Sequence, residues 1–357
     1  MAIRKPKELE DALQRTHAKA VQKVMGTEEL ITDRYALYRG DCIEQMSKMP
    51  DNMVDMVIYS PPFANMYTYS SSDHDLGNCR NYAEFLEHYE FVVKELFRIT
   101  KPGRFVAVHC MEIPLNADQG LDDFPGDIIA LHKRLGFKYW DRKNIWKEPL
   151  RVAIRTRLRA LMHVQLCNDS SKCRGALADY LLIFKKKGDN LVPVAHPFGL
   201  TNYAGDLELM NEIEKMEFLQ LKEDYVNHTE DHTNRLSQFI WRRYASSAWE
   251  DIRANVCLSY KEARDKDDDR HVCPLQLDIV TRAVELYTNP GEIVFTPFMG
   301  IGTEVFGAVA AGRKGIGVEL KQSYFNQSVK NLNEVDKFNS VENVATLFDQ
   351  VEEPEEE

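Results

Sequence analysis

Two short segments carry residue types suited to chemistry. The first is Ser60-Pro61-Pro62-Phe63, which directly follows the apolar run Val54–Tyr59. Consecutive prolines remove two backbone donors and stiffen the chain. Around them stand a hydroxyl (Ser60), a carbonyl on a stiffened backbone (Pro61) and a flat aromatic face (Phe63). Two acceptors beside a stacking surface suit a planar base bearing an exocyclic amine, although two prolines alone mean no more than a rigid loop. The second segment is Thr296-Pro297-Phe298-Met299-Gly300-Ile301-Gly302-Thr303. Gly300 and Gly302 let the backbone turn sharply and approach a ligand where a Cβ would clash. A helix starting there offers free N–H groups and a positive dipole end to an anion. Glu319, nineteen residues past Gly300, stands where a carboxylate accepts both hydroxyls of a ribose.

These segments need strands and helices to position them. Val54–Tyr59 reads as a buried strand, with a strand at Tyr35–Tyr38 before it and a helix at Tyr82–Ile99 after it. Lys101-Pro102-Gly103 reads as a helix-to-strand break. A strand at Arg104–His109, a helix at Asp127–Leu135 and strands at Tyr139–Trp146 and Ala178–Lys185 follow. Beyond a polar, helical stretch, a helix is predicted at Pro274–Tyr287 and a strand at Glu292–Phe295. The Gly-bearing turn, a helix to Ala311, a strand at Gly315–Glu319 and a helix at Ser323–Val335 complete the chain. Strands alternating with helices predict an α/β fold with a parallel sheet covered on both faces. The sheet is read as built from both ends of the chain. The three-glycine dinucleotide fingerprint is not met, because Val305 takes the third glycine's place, so NAD and FAD are disfavoured. S-adenosylmethionine, with a single carboxylate, suits the loop better.

Taken together, the motifs resemble those of DNA amino-methyltransferases. Ser60-Pro61-Pro62-Phe63 is similar to the family's D/N/S-P-P-Y/F/W motif, and the 296–303 segment to its D-P-F-x-G-S-G-T cofactor loop. Arg39-Gly40-Asp41 ahead of Val54-Asp55-Met56-Val57-Ile58, Trp249-Glu250-Asp251-Ile252 and Gly312-Arg313-Lys314-Gly315-Ile316-Gly317-Val318-Glu319 resemble further family blocks. The catalytic motif precedes the cofactor loop, the permuted order of the β group. The resemblance covers residues 35–185 and 245–335. It implies a Rossmann-like methyltransferase sheet and S-adenosylmethionine as cofactor. It also implies Ser60, Pro61, Pro62 and Phe63 as catalytic residues, with Asp41, Pro297, Phe298, Gly300, Gly302, Thr303 and Glu319 around the cofactor. Methyl transfer to N4 of cytosine in a flipped base is the implied reaction, with N6 of adenine, a DNA-binding member without turnover and an RNA methyltransferase as alternatives. The family's Asp is Thr296 here and its Ser is Ile301, which bears on how the cofactor is held.

The chain has 357 residues, a net charge of −11, and 44% hydrophobic against 28% charged residues. Such proportions exclude collagenous, disordered and disulfide-framework classes. No apolar run reaches the ~20 residues of a membrane span. Seven scattered cysteines and no leader-like segment suit a reducing, intracellular setting, the cytoplasm of a bacterial or phage-type host. Despite the acidic total, residues 133–174 hold twelve Lys and Arg against three acids, a basic tract suited to duplex DNA. Arg151, Arg155, Arg157 and Arg159 are its candidate DNA contacts. The expected organisation is an accessory or dimerisation helix in 1–30, a catalytic half in 31–190 and a target-recognition region in 191–270. A cofactor-binding half in 271–340 and an acidic tail in 341–357 complete it. No metal is expected, since Cys167, Cys173 and His163 lack a C-x-x-C spacing and a fourth ligand. His74, His88 and His109 are read as surface or core side chains rather than catalytic bases. A homodimer and a restriction partner stay open.

Overall fold

A computed structural model describes residues 29–62, 76–115, 120–156, 161–227, 234–260, 263 and 274–335. Most of the 1–30 segment expected to hold an accessory helix, with His74, Phe63, Arg157, Arg159 and the acidic tail, lies outside the described residues. So do His271–Cys273.

Among the described residues the strands are β1 (Glu29–Ile31), β2 (Tyr35–Arg39), β3 (Val54–Tyr59), β4 (Thr100–Cys110), β5 (Ile113–Pro114) and β6 (Leu121–Asp122). Then follow β7 (Lys138–Ile145), β8 (Asp179–Lys185), β9 (Ala248–Trp249), β10 (Ile293–Thr296) and β11 (Lys314–Glu319). Nine of them form one sheet in the order β1-β2-β11-β10-β3-β4-β8-β7-β9, and β5 and β6 pair separately. The sheet does combine both ends of the chain: β10 lies parallel to β3 and β11 parallel to β2. It is mixed, not parallel throughout as expected. β8 runs antiparallel to both β4 and β7, because the chain leaving β7 returns between them. β1 is antiparallel to β2 as well.

β3 is buried along its whole length. Val57 and Tyr59 pack on one face with the helix Tyr82–Ile99, while Met56 and Ile58 pack on the other with the helix Leu277–Tyr287. That two-sided burial explains a run with no polar alternation apart from Asp55. The helix Tyr82–Ile99 owes its place to Phe85, Tyr89, Val92, Val93, Leu96 and Ile99, one buried stripe at helical spacing. Its start is capped by Asn81, whose side chain accepts from the Glu84 N–H at 2.9 Å. Lys101-Pro102-Gly103 is not a break before a strand but part of β4. Gly103 takes φ +74°, and a Cβ there would meet the backbone N of Asn190 at 2.5 Å, so glycine is required on both counts.

The stretch expected as one polar insertion, 191–270, divides in two. The helices Glu212–Asn227 and Arg235–Ala245 bury Phe218, Leu221, Leu236, Phe239, Ile240 and Tyr244 in a core of their own. From Ala248 the chain rejoins the main body: β9 pairs with β7, and Trp249 and Ile252 enter the core against the helix Leu277–Tyr287. The joint is Arg282, wholly buried, whose Nε donates to the Ala204 carbonyl at 2.6 Å and whose guanidinium pairs with Asp251 at 2.9 Å. It also stacks near the Tyr244 ring at 4.8 Å and the Trp249 ring at 5.2 Å. No described helix is long and apolar enough to cross a membrane.

Close helix-to-strand packing beside the glycine loop comes from the strand. A Cβ at Gly315 would lie 2.6 Å from Val305 Cγ1, and one at Gly317 2.5 Å from Met299 Sδ. β11 thus supplies the clearance that a third glycine supplies in the dinucleotide fingerprint. Gly315→Ala is expected to force the helix Thr303–Ala310 off the sheet and cost about 1–3 kcal/mol, read as a lowered urea midpoint with unchanged slope.

Candidate active site

The strand order reverses between β10 and β3. The chain leaves β10 toward β11 on one side and leaves β3 toward β4 on the other. Crossovers that part in opposite directions open a crevice at the carboxyl ends of the two strands. A cavity of about 790 Å³ lies there, and it gathers Asp41, Ser60, Pro61, Pro62, Pro297, Phe298, Gly300, Thr303 and Glu319 in one wall system. Segments more than two hundred residues apart in sequence therefore face one space, as the motif reading required. Gly302 underlies the loop rather than lining the cavity.

Each cavity residue has a local reason for its pose. Asp41 caps the helix Cys42–Ser47, its Oδ1 accepting from the Glu44 N–H at 2.9 Å. Gly300 and Gly302 take φ +53° and +93°. At Gly300 the space a Cβ would fill is open, whereas at Gly302 it would meet Leu332 at 2.9 Å. The first glycine keeps the loop open to a ligand and the second seats it on the helix Gln322–Asn333. Glu319 ends β11 with both carboxylate oxygens directed by backbone donors: Oε2 accepts from Gly300 N–H and Oε1 from Lys321 N–H, each at 2.8 Å. Ile301 is buried in the apolar cluster with Phe325 and Leu332 and also borders the cavity, and its carbonyl accepts from Asn331 Nδ2 at 2.9 Å. Thr296 is buried too and does not line the cavity, and its hydroxyl has no hydrogen-bond partner.

His109 is a buried side chain, as read from the sequence, but one that also lines the cavity. It reaches the cavity from β4 with Nδ1 3.0 Å from Ser60 Oγ and Nε2 3.1 Å from Asp179 Oδ2. Lys147 closes the chain on Asp179. Burial opposes the charge on Asp179, but Lys147 and His109 beside it hold its carboxyl down at about 2. A carboxylate that orients an imidazole against a hydroxyl is the arrangement of nucleophile- and base-positioning triads. Sequence spacing gave no sign of it, because β8 brings Asp179 beside β4 only through the antiparallel pairing of Cys110 with Tyr180. His88, by contrast, stands outside the cavity lining, with Nδ1 3.5 Å from Cys79 Sγ.

A second missed residue is Glu304, which is buried yet lines the cavity. Burial foremost, with the negative charge of Glu319 nearby, pushes its carboxyl up to about 8. Arg151 stands at the cavity rim, bonded through Nη1 to Asn255 Oδ1 at 3.0 Å. Arg155 falls on the helix Pro149–Thr156, while Arg157 and Arg159 lie outside the described residues. Among the described residues, no group of three or more His, Cys, Asp or Glu could hold a metal ion.

Residues 54–330 match the N6/N4 methyltransferase family model, described as DNA methylase. The chain is 24% identical over 294 residues to the type II methyltransferase M.BamHI of Bacillus amyloliquefaciens, covering 81% of this chain and 55% of that protein. The chain thus spans about half the length of that curated relative. In fold it is similar to TTHA0409 of Thermus thermophilus in complex with S-adenosyl-L-methionine (TM-score 0.53, 19% identity, covering 85% of this chain and 95% of that one). It is likewise similar to the cytosine-N4-specific PvuII DNA methyltransferase (TM-score 0.51, 14% identity, covering 88% and 96%).

Asp179→Ala is expected to cost about 1–3 kcal/mol at neutral pH, since it leaves His109 Nε2 and the partly exposed Lys147 ammonium without their acceptor. The Asp179 pKa is lowered on folding, so the contribution is complete above the ordinary aspartate value and fades as pH falls toward about 2. Urea denaturation of both proteins across acid pH reads the two curves converging.

Proposed function

Because the chain belongs to the N6/N4 DNA methylase family, we propose that it transfers a methyl group from S-adenosylmethionine to the exocyclic amine of a base flipped out of double-stranded DNA, at N4 of cytosine. The observation that supports this best is the shared cavity, in which the Ser60-Pro61 end of β3 faces the glycine loop and Glu319.

The residues present fit the cofactor. Gly300 leaves its side of the loop open, and Glu319 carries a carboxylate already held by two N–H groups, as a ribose acceptor requires. Pro297, Phe298 and Thr303 complete that wall, and Asp41 reaches it from the β2 end. The cavity volume suits a nucleoside with a second planar ring beside it. When bound, S-adenosylmethionine supplies a methyl group activated by a sulfonium.

The remaining chemistry belongs to the chain. A paired amine is out of reach, so the base has to leave the duplex. Ser60 Oγ and the Pro61 carbonyl accept the amine protons, drawing the nitrogen lone pair out of ring conjugation and toward the methyl. Phe63 supplies the stacking face. S-adenosylmethionine held there would give its methyl group to that lone pair and would keep the S–C electron pair on sulfur. One N–H proton then leaves through Ser60 to His109, whose imidazolium is stabilised by Asp179. Orientation and fixed dipoles contribute most of the acceleration. A hydroxyl rather than an amide or carboxylate at position 60 is the reason for preferring cytosine N4. Arg151, Arg155, Arg157 and Arg159 would contact DNA phosphates and guanine edges, and the helical module within 191–270 would read the target.

Ser60→Ala is expected to lower kcat by about two orders of magnitude or more. Nucleoside mass spectrometry of DNA from expressing cells should show N4-methylcytosine with the wild type and none with the variant. N6-methyladenine would keep the mechanism and overturn the base assignment, and neither mark would favour the binding-only or RNA readings. His109→Gln, which acts through Ser60, should lower kcat about 10²-fold with KM for DNA and cofactor nearly unchanged.

A further inference from the structure

The family resemblance places an acid at position 296, and Thr296 stands there instead, buried, outside the cavity lining and with an unpartnered hydroxyl. Nothing at 296 can answer a cation in the cavity. Eight residues on, the same loop-and-helix unit carries an acid that can. Glu304 is the second residue of the helix Thr303–Ala310 and lines the cavity between the glycine loop and the catalytic loop. The backbone N–H groups of Ser60 and of Glu304 itself lie where they favour its ionised form, which sets it beside the end of β3. No Lys, Arg or His pairs with it among the described residues.

We propose that Glu304 takes over the role of the missing acid at 296 and is the counter-charge for the α-ammonium of bound S-adenosylmethionine. The inference rests on the cofactor reading above and adds the residue that makes Thr296 tolerable. An acid enclosed without a cation stays protonated, and an arriving ammonium restores the compensation that burial removed. Glu319 at the end of β11 disfavours the ionisation of Glu304, while Asp41 and Lys321 also line the cavity. Further along the same lining stand Glu148, Arg151, Asp206 and Arg253. Beyond Ser60, the charges of Asp179 and Lys147 are already engaged with each other and with His109. Glu304 therefore gives up a proton as the cofactor enters.

The test is calorimetric titration of the whole protein, without DNA, using S-adenosylmethionine and S-adenosylhomocysteine. Titrations run between about pH 6 and about pH 9, in two buffers of different ionisation enthalpy. Both ligands carry the ammonium and only the first carries the sulfonium. The wild type should release up to about one proton per ligand near neutral pH, and its affinity should rise with pH until about 8. Glu304→Gln should bind both ligands about tenfold more weakly or worse, without that proton release. Folding is checked independently. The folded wild type holds a proton that the unfolded chain has lost, so cofactor-free stability falls as pH rises toward about 8, and Glu304→Gln lacks that slope. Unchanged affinity in Glu304→Gln overturns the assignment, as does weakened binding of S-adenosylmethionine alone, which would place the carboxylate at the sulfonium. A wild type that binds neither ligand would instead bring down the cofactor reading itself.

Discussion

Everything at the site depends on the seam where the two ends of the chain meet. β10 and β3 share only a short ladder, Val294 with Met56 and Phe295 with Val57. The seam is reinforced by a buried charge cluster at the opposite edge from the cavity. Asp55 Oδ2 accepts from the Ile293 N–H at 3.0 Å, and its Oδ1 takes Lys101 at 2.6 Å and Arg104 at 3.1 Å. Arg104, wholly enclosed, also pairs with Glu292 just before β10. Buried charges of this kind do little for net stability compared with apolar packing, but they fit only one partner arrangement. Here they fix the register of β3, β4 and β10 together, and with it the separation between Ser60 and Gly300 at the far end.

From that seam the two halves take different parts. The β2–β11–β10 side presents backbone N–H groups, open glycine and a carboxylate, all suited to holding a nucleoside. The β3–β4–β8 side presents a hydroxyl, an imidazole and a carboxylate in hydrogen-bonded sequence, suited to holding an amine and moving its proton. Neither set is complete without the other. The helical module carrying Phe218 and Phe239 is anchored through Arg282 to the same helix, Leu277–Tyr287, that backs β3.

The acids of the cavity illustrate how environment, not residue type, sets charge. Asp179 is enclosed with Lys147 and His109 and is strongly acidic. Glu304 is enclosed with backbone donors and another carboxylate for company, and resists ionisation. Glu319 is tied by two N–H groups to the loop it serves. The three stand around one cavity and are prepared for different tasks.

The strands and helices were largely legible in the sequence. β3 and the helix Tyr82–Ile99 fall on the residues their periodicity marked, because local burial pattern alone dictates them. The two motif segments were legible for the same local reason: prolines, glycines and an acid at fixed offsets constrain their own backbone. Their meeting in one cavity was expected only through the family resemblance. Three things were decided by tertiary structure. β8 inserts antiparallel, since the pairing partner of a strand is a long-range choice that its own residues do not encode. The 191–270 stretch divides between a separate helical core and the main sheet, since an amphipathic helix pattern does not say which core it joins. His109 and Glu304 become site residues because non-local neighbours surround them: Ser60 and Asp179 for the first, and the Ser60 N–H and Glu319 for the second. The sequence by itself determined the local geometry of the motifs, through backbone constraint and burial period. Tertiary packing decided which polar groups share a low-dielectric space, and so which of them carry charge.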